Sequence, residues 1–334
     1  MLHFDPKQIS VNEVYRLILG GVAPRPIALV STLSADGHRN LSPFSFFNAF
    51  GGNPPTVIFS PSRRQRDAST KHTYENLVAT KECVIQAVTY AMVQQVSLAS
   101  TEYPGEVDEF LKSGLTPIPS DLVKPPRVAE SPFHMECRLV QMINTSDGRG
   151  AGNLAICEVM RFHVAEDVMK NGQIDPQLID LVGRNSADWY TRASGEAIFY
   201  VKKPIDTRGI GYDQLPDFVR KSDILSANNL GQLGNSEKIP TSEEIVLFGH
   251  MFPPQEGDEA LYRRCERHKD YRMMFRVARS LASIDPGRAA SLIEQSARCA
   301  LESANDIEFA WKAVLFAEMV RRDRRLPEAP DSIH

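Results

Sequence analysis

The sequence is poor in the residues that stabilise small disulfide-bonded or zinc-containing domains. It has 5 cysteines and 2 tryptophans among 334 residues. The cysteine count is odd, the spacing is wide and no Cys-x-x-Cys occurs, at positions Cys83, Cys137, Cys157, Cys265 and Cys299. A disulfide framework or a structural zinc site is therefore not expected, and most of these cysteines are predicted to be small buried hydrophobes.

Motifs of several enzyme classes are also missing from the sequence. The 8 histidines form no His-x-x-x-His or His-Glu-x-x-His, so no metal site is predicted. A hydrolase triad is unsupported, because no Gly-x-Ser-x-Gly occurs. No Gly-x-Gly-x-x-Gly follows a strand, so a nicotinamide-binding Rossmann domain is not expected.

The charge and the apolar runs exclude further classes of partner. The formal net charge of -4 gives no reason to expect binding to nucleic acid or to an anionic membrane. No apolar run is long enough to span a bilayer. The first six residues, Met-Leu-His-Phe-Asp-Pro, lack the charged and apolar regions of a signal peptide. We therefore expect a cytoplasmic protein.

The most informative feature that is present is the segment Ser42-Pro43-Phe44-Ser45-Phe46-Phe47-Asn48. It lies between two runs typical of strands, 26–32 and 56–60. Its hydroxyls can donate to phosphate oxygens, its aromatic rings can pack beside a flat ligand, and its carboxamide can both donate and accept. The segment therefore fits a planar cofactor that carries a phosphate, although a polar hairpin could have a similar composition.

Strand patterns dominate the chain before residue 204. Apolar and β-branched residues fill 27–32, 56–60 and 82–87, and 135–144 and 154–165 indicate a pair of long strands. Helices are predicted at 11–19, 71–80 and 90–101, and the proline-rich stretch 116–126 is predicted to be a loop. Because strands do not alternate regularly with helices, an antiparallel barrel is favoured over a doubly wound sheet.

The pattern changes after residue 204. Glycines punctuate the mixed stretch 206–240, and the chain becomes helical from about residue 241. Asp285-Pro286 is typical of a helix start, and a long apolar stripe follows within 307–319. We predict a domain of residues 1–205, an irregular connection of residues 206–240 and a helical extension of residues 241–326. The extension is expected to pack on the barrel or on a second subunit, and recognition of another protein is the alternative.

Further segments occur in a fixed order around 42–48. They are VAPRP at 22–26, SPSRR at 60–64, KHTYEN at 71–76, the stretch 98–110 and PPRVAESP at 125–132. In this order the segments resemble the flavin reductase-like family, whose members bind FMN on a split β-barrel. The resemblance runs from about residue 24 to residue 204. It implies a mainly β fold with helices, in which an FMN-binding split β-barrel is followed here by a C-terminal helical appendage.

The resemblance also implies a cofactor site. The FMN phosphate needs several donors and partial neutralisation of its charge, which favours basic and hydroxyl side chains. Arg64 and Arg66 are interpreted as solvated surface, and Asn48 is expected at the edge of the flavin ring, where hydrogen bonds tune its electronics. The expected cofactor-binding residues are Arg25, Ser42, Pro43, Phe44, Ser45, Phe47, Asn48, Ser60, Arg63, Lys71, Thr73 and Asn76. Plain core packing is the alternative for the phenylalanines.

Two departures from the family pattern bear on the chemistry. His72 stands where the family commonly has an acid, so the charge near the phosphate would vary with pH. Short-chain flavin reductases often carry Gly-Asp-His before the strand at 154–159, and a histidine there is associated with nicotinamide binding. This chain has Gly-Ala-Gly at 150–152. The substitution puts efficient oxidation of NADH or NADPH in doubt, but does not affect the FMN prediction.

A second group of residues is expected near the flavin. His163 matches a histidine frequent in longer relatives, and it is expected at the substrate or at a subunit interface. The alternative is a strand histidine whose hydrogen bonds are all made within the protein. Arg184, Trp189 and Tyr190 could form a lid over a ligand, and a polar loop anchored by Trp189 is the alternative. The predicted substrate-binding residues are therefore His163, Arg184, Trp189 and Tyr190. The predicted catalytic residues are Asn48, His163 and Arg184.

Three functions remain open at this point. The first is hydride transfer from NADH or NADPH, bound transiently, to FMN, which then serves a partner monooxygenase or a bound acceptor. The second is a flavoenzyme that retains FMN and transforms an organic substrate directly. The third is an FMN-binding electron carrier with a helical docking tail. All three imply FMN, and similar proteins imply a homodimer.

Overall fold

The computed structural model describes residues 1–201, 203, 205 and 208–322. The chain divides into two compact units, one of residues 1–200 and one that begins at Val201. Residue 206, at the predicted boundary, and residues 323–326 of the predicted helical extension lie outside the described residues. Among the described residues, we find no helix that combines the length and the hydropathy needed to cross a membrane.

The first unit is built on antiparallel strands. In chain order they are β1 (Ala28–Leu33), β2 (Arg39–Phe44), β3 (Phe47–Gly52), β4 (Pro55–Phe59), β5 (Glu82–Gln86), β6 (Pro117–Ile118), β7 (Arg127–Val128), β8 (Phe133–Asn144), β9 (Asn153–Val164), β10 (Met169–Lys170), β11 (Gln173–Ile174), β12 (Val182–Arg184) and β13 (Tyr190–Arg192). Seven of them form one sheet in the order β2-β1-β5-β8-β9-β4-β3. The other six form three short two-stranded ribbons.

Two consecutive strands stand at opposite ends of the sheet order. β2 is first and β3 is last, and the two residues Ser45 and Phe46 join them. The sheet must therefore curl until its two edges meet, which leaves a split between β2 and β3. Proline is tolerated mainly on edge strands, and Pro43 lies on such a strand. The segment 42–48, which lies between the two predicted strand runs, itself forms the end of β2, the connection Ser45-Phe46 and the start of β3 at this split.

Four helices accompany the barrel: α1 (Val11–Gly21), α2 (His72–Thr80), α3 (Val93–Leu98) and α4 (Glu109–Ser113). α1 begins at a capping box in which Ser10 Oγ accepts from Glu13 N at 3.3 Å and the Glu13 carboxylate accepts from Ser10 N at 2.9 Å. The helix predicted at 90–101 is shorter, because a 3₁₀ turn at Tyr90–Met92 precedes α3.

The apolar residues of β1 are buried on both faces of the strand. Ala28 and Val30 point into the barrel core with Phe59 and Cys137, whereas Leu29 packs in a second cluster with residues of α3 and α4. Successive side chains of a strand point to opposite faces, so both sets need a covering layer. This explains why the run at 27–30 is continuously apolar rather than alternating.

The second unit is helical. Its helices are α5 (Asp217–Arg220), α6 (Ala227–Gly234), α7 (Ser242–Met251), α8 (Glu259–Arg267), α9 (Tyr271–Ser280), α10 (Pro286–Ala304) and α11 (Ile307–Arg321). Their core gathers large apolar side chains, among them Phe248, Phe275 and Trp311. α5 and α6 lie inside 206–240, which we expected to be irregular. Glycines suggested a connection, but a capping box at Ser226 starts α6 and Leu230 and Leu233 enter the core.

Candidate functional site

The connection between β2 and β3 at the barrel split is held by the strands and loops around it. The Phe46 carbonyl accepts from Ser60 N at 2.9 Å, which ties the turn to the end of β4. Ser45 Oγ accepts from Arg25 Nε at 3.3 Å. Ser42 and Pro43 pair with Val30 and Leu29 of β1. The predicted residues 42–44 therefore lie at the end of β2, and Ser45 lies in the connection, which contacts on both sides hold in place.

Phe44 packs in the barrel core and also contacts a partly buried cation, Lys71. Its ring packs against Phe59 with the centroids 5.3 Å apart, so the core-packing alternative holds for this residue. Lys71 Nζ lies 5.2 Å from the centroid of the same ring. Lys71 is the residue that directly precedes α2, and no side chain in the described part of the chain caps that helix.

Lys71 and Arg64 form what we call the cationic corner. Burial is the main cause that lowers the pKa of Lys71 below its ordinary value, Arg64 lowers it further, and Glu102 opposes the change. Arg64 Nε lies 3.3 Å from Glu102 Oε1, and Arg64 Nη1 also donates to the Thr70 carbonyl. Within the described part of the chain, Lys71 Nζ has no hydrogen-bond partner. An anion placed here would meet a partly buried ammonium that has no hydrogen-bond partner among the described residues.

Two hydroxyls lie on the loop that leads from β4 to this corner. Ser60 Oγ and Ser62 Oγ are 2.9 Å apart, and Ser60 Oγ also accepts from Asn153 N at 3.2 Å. Serine hydroxyls can both donate and accept, so this pair can turn a donor toward a phosphate oxygen. Ser62 was not among the predicted residues, although its position in SPSRR beside Ser60 could have indicated it.

The two arginines predicted to bind the cofactor, Arg25 and Arg63, form hydrogen bonds within the protein. Arg25 is buried, and its guanidinium donates to the carbonyls of Leu19 at 2.8 Å, Val22 at 2.5 Å and Asn185 at 2.8 Å. Burial lowers the pKa of Arg25. Arg63 donates to Asp147 Oδ1 at 2.6 Å and to the Ala68 carbonyl at 3.0 Å, while its buried Nε has no hydrogen-bond partner among the described residues.

Arg64 differs from what the sequence indicated. We interpreted Arg64 and Arg66 as solvated surface, and the side chain of Arg66 is indeed 72% exposed. The Arg64 side chain is 13% exposed, because the loop folds it against the carbonyl of Thr70 and the carboxylate of Glu102. Nothing in the local sequence separates these two arginines, since the loop conformation alone decides which one turns inward.

Thr73 and Asn76 of α2 are buried and bonded to strands of the barrel. Thr73 Oγ1 accepts from Asn40 Nδ2 at 3.0 Å, and Asn76 Nδ2 donates to Thr32 Oγ1 at 3.0 Å. These contacts fix α2 against β1 and β2, and so hold Lys71 in place. In this structure the two side chains therefore position the cationic corner through the helix that precedes them.

An apolar cavity of about 500 Å³ opens beside β3 in the first unit. We call it the apolar chamber. Its walls come from β3, β4, β8, β9 and the segment 174–182, and they include Phe47, Val57, Met135, Val159, Phe162 and Ile179. Asn48 lies at its edge as an exposed residue. The predicted residues Phe47 and Asn48 are thus brought to one cavity, which is within the size range of small-molecule sites.

His163 lies on the other face of the β8–β9 ladder. Met135 and Phe162 line the chamber, whereas their neighbours His134 and His163 do not. His163 Nε2 contacts Glu136 Oε1 at 2.6 Å. The structure does not bring His163 to Asn48, so these two predicted catalytic residues stay apart within the protomer.

Glu136 is the centre of a network around His163. Its carboxylate also accepts from the backbone N–H groups of Asp121 at 2.9 Å, Leu122 at 2.6 Å and Val123 at 3.1 Å. Asp121, Glu136 and His163 each bring one potential ligand atom within 4.8 Å of the others. However, Asp121 is paired with Arg161 at 2.6 Å. These groups bond to one another and hold the loop at 121–123.

Arg184 and Tyr190 stack on one another. The Arg184 guanidinium carbon lies 4.6 Å from the Tyr190 ring centroid, and Arg184 exchanges backbone hydrogen bonds with Arg25 at 2.8 and 2.9 Å. Trp189, at the tip of the β12–β13 ribbon, is 76% exposed and does not anchor the loop. Arg184 and Tyr190 are therefore placed beside the Arg25 contact, outside the lining of the chamber.

Comparisons with known proteins agree with this architecture. The family described as "Flavin reductase like domain" matches residues 20–182. An uncharacterized protein from Aquifex aeolicus is 35% identical over 196 residues, which cover 58% of this chain and 97% of the relative. The structure also resembles nitrilotriacetate monooxygenase component B from Bacillus cereus. That likeness has a TM-score of 0.57 and 30% identity, and it covers 60% of this chain and 98% of the other.

A third likeness concerns the fold directly. A protein with a split barrel domain from Shewanella frigidimarina has a TM-score of 0.52 and 25% identity, and the likeness covers 61% of this chain and 100% of the other. The predicted fold class, a split barrel with helices followed by a helical region, is confirmed.

Proposed function

Because this chain belongs to the flavin reductase-like family, we propose that it is an FMN-dependent oxidoreductase with its cofactor at the barrel split. One observation carries the choice of a phosphate-bearing flavin. Lys71 is a partly buried residue whose Nζ lies 5.2 Å from the Phe44 ring centroid and has no hydrogen-bond partner in the described part of the chain, and its pKa is lowered mainly by burial. A phosphate would pair this charge and offset its desolvation.

The residues present fit FMN in three respects. The cationic corner and the Ser60–Ser62 hydroxyls would hold the phosphate, and the uncapped N-terminus of α2 adds a favourable dipole. Asn48 would lie beside the edge of the flavin ring. Three of the predicted residues would hold protein elements in place and would not contact the cofactor. Arg25 would hold the connection between β2 and β3, and Thr73 and Asn76 would hold α2. The flavin, when bound, supplies the hydride and electron transfer.

The reaction that we favour is reduction of FMN by NADH or NADPH. Reduced flavin would then serve a partner monooxygenase or a bound acceptor, which the likeness to a monooxygenase component B supports. The nicotinamide would bind transiently, since the sequence carries no Rossmann glycine motif. We expect the protein to act as a homodimer, with His163 and the Arg184–Tyr190 pair available to the partner subunit or the substrate.

The apolar chamber favours a second candidate. A flavoenzyme that keeps its FMN and transforms an organic substrate directly needs a cavity beside the cofactor, and the chamber shares Asn48 with the proposed ring site. The absence of histidine from residues 150–152 points in the same direction, because it removes a group expected to help with the nicotinamide.

An anaerobic titration separates these candidates. The protein would be purified without added flavin, its visible spectrum recorded, and NADH and NADPH added in turn. Rapid bleaching of a yellow protein by either nucleotide is the expected result for a reductase. A yellow protein that resists both would favour direct substrate chemistry. A colourless protein that also fails to bind added FMN would contradict the cofactor assignment.

A further inference from the structure

The lining of the apolar chamber restricts what it can bind. Among the described residues that form its walls, none is charged, and the polar side chains are those of Asn48, Thr56 and Gln86. Moving a charged group from water into such a cavity without a partner is costly. An acidic or phosphorylated ligand is therefore disfavoured here, whereas the cationic corner lies outside this lining.

Two of the three polar side chains are already used. Gln86 Nε2 donates to the Leu29 carbonyl at 2.8 Å, and its Oε1 accepts from Val128 N at 3.2 Å. Thr56 Oγ1 donates to the Pro54 carbonyl at 2.9 Å. These groups complete the protein's own hydrogen bonding, so a ligand in the chamber finds little polar recognition from them.

Asn48 is the exception. Its Oδ1 accepts from Ala49 N at 2.8 Å, which fixes the orientation of the carboxamide and leaves Nδ2 as the outward donor. Nδ2 has no hydrogen-bond partner in residues 1–201. Among the polar side chains of its walls, the chamber thus offers one free donor, at its edge, and its other side chains are apolar or already bonded. A matching ligand has one acceptor oxygen at one end of an apolar ring system.

We propose that the apolar chamber binds an uncharged organic compound with an apolar ring body and one carbonyl-type or nitro-type acceptor that bonds Asn48 Nδ2. This assignment rests on the proposed function, because a compound at Asn48 would adjoin the proposed flavin ring and could act as its electron acceptor. It deepens that function by naming the class of substrate.

A matched pair of probes tests the charge requirement. 2-Acetylnaphthalene carries the ring and one carbonyl, and 6-acetyl-2-naphthoic acid adds a carboxylate to the same frame. Equilibrium dialysis against the full-length, FMN-loaded protein at neutral pH would measure both affinities. We expect the neutral ketone to bind at least about tenfold more tightly, since the carboxylate has no partner in the chamber. Equal affinities, or no binding of the ketone, would overturn the proposal.

Two variants and a control locate the site. Phe162 lines the chamber and is 50% exposed, so Phe162→Glu adds a charge to the wall with little risk to folding. We expect it to weaken ketone binding about tenfold or more. Val140→Glu is the control, because Val140 is an exposed residue of β8 outside the lining. Asn48→Ala should weaken the ketone several-fold and leave naphthalene, which has no acceptor, unchanged.

Parallel titrations of the flavin-free protein distinguish the possible failures. FMN affinity is measured in parallel by quenching of flavin fluorescence. Binding of FMN without the ketone would reject the chamber proposal and leave the proposed function standing. Binding of the ketone without FMN would reject the proposed function and leave a site for apolar compounds. Displacement of the ketone by FMN would show that the chamber holds the flavin ring itself, which overturns the proposal.

Discussion

The sharpest prediction concerns Lys71 and the flavin phosphate. Lys71→Met keeps much of the apolar stem beside Phe44 and removes the ammonium that lies 5.2 Å from that ring. A hydrogen bond to a charged group contributes roughly 1.5–3 kcal/mol when both partners are desolvated. The variant should therefore bind FMN about 10-fold to 150-fold more weakly than the wild type. Riboflavin has the same ring and no phosphate, so its affinity should change less than about twofold.

Fluorescence titrations of both flavins at one ionic strength would measure these four affinities. Lys124→Met is the matched control, because Lys124 is an exposed lysine whose side chain has no bonded partner among the described residues. Lys71→Arg should retain most of the FMN affinity. Equal weakening of FMN and riboflavin by Lys71→Met would refute the reasoning, since it would mean that Lys71 supports the site through packing and not through its charge.

The lowered pKa of Lys71 gives the same prediction a pH dependence. FMN binding requires the charged ammonium, and burial favours its neutral form. As the pH rises through the lowered pKa, the affinity for FMN should fall, and the fall should begin below the ordinary lysine value of 10.5. The riboflavin affinity should stay level over this range. With Lys71→Arg the fall should disappear, because the guanidinium stays charged.

Three further predictions follow from the contacts of the barrel and the division of the chain. Arg25→Met leaves three carbonyls without a donor and should lower the free energy of unfolding in urea by about 3 kcal/mol, with partial recovery in Arg25→Lys. Burial raises the pKa of Glu136, but hydrogen bonds from Asp121, Leu122, His163 and Val123 give a net lowering. The free energy of unfolding of the wild type should therefore decrease as the pH falls below about 4.5. The Glu136→Gln variant should be less stable than the wild type at pH 7, and its free energy of unfolding should decrease less over the same acidic range. Residues 1–200 alone should fold and bind FMN with wild-type affinity in a fluorescence titration.

The sequence predicts the barrel strands well because their local pattern matches their burial. The run at 82–87 becomes β5 (Glu82–Gln86), and the two long runs become β8 and β9. The segment 42–48 was harder to predict. Its composition resembles that of a loop, but its two ends belong to β2 and β3, and each of these strands pairs with one neighbouring strand. The order of strands in the sheet, and not the local sequence, shows that both are edge strands.

Side-chain direction is the part of the site that the sequence could not predict. Lys71, Thr73 and Asn76 belong to one short segment and were all expected at the cofactor. The structure turns Thr73 and Asn76 toward Asn40 and Thr32 of the barrel, and leaves Lys71 without a bonded partner among the described residues. Residues at different positions of a helix face different neighbours, so one motif contains two residues bonded to the barrel and one, Lys71, that we propose as a binding residue.

The helical unit bears on the choice between packing and docking. An apolar stripe such as that of α11 suggested a helix that must cover another part of the protein. Instead, Trp311 is buried in the core of the unit itself, and its Nε1 donates to the Leu233 carbonyl at 3.1 Å and to Ser236 Oγ at 2.9 Å. Because the apolar residues of α11 are buried inside the helical unit, the helix does not need the barrel for its stability. Loss of solubility on removal of the unit is therefore not expected, and a partner-binding defect with intact FMN binding would identify docking as its role.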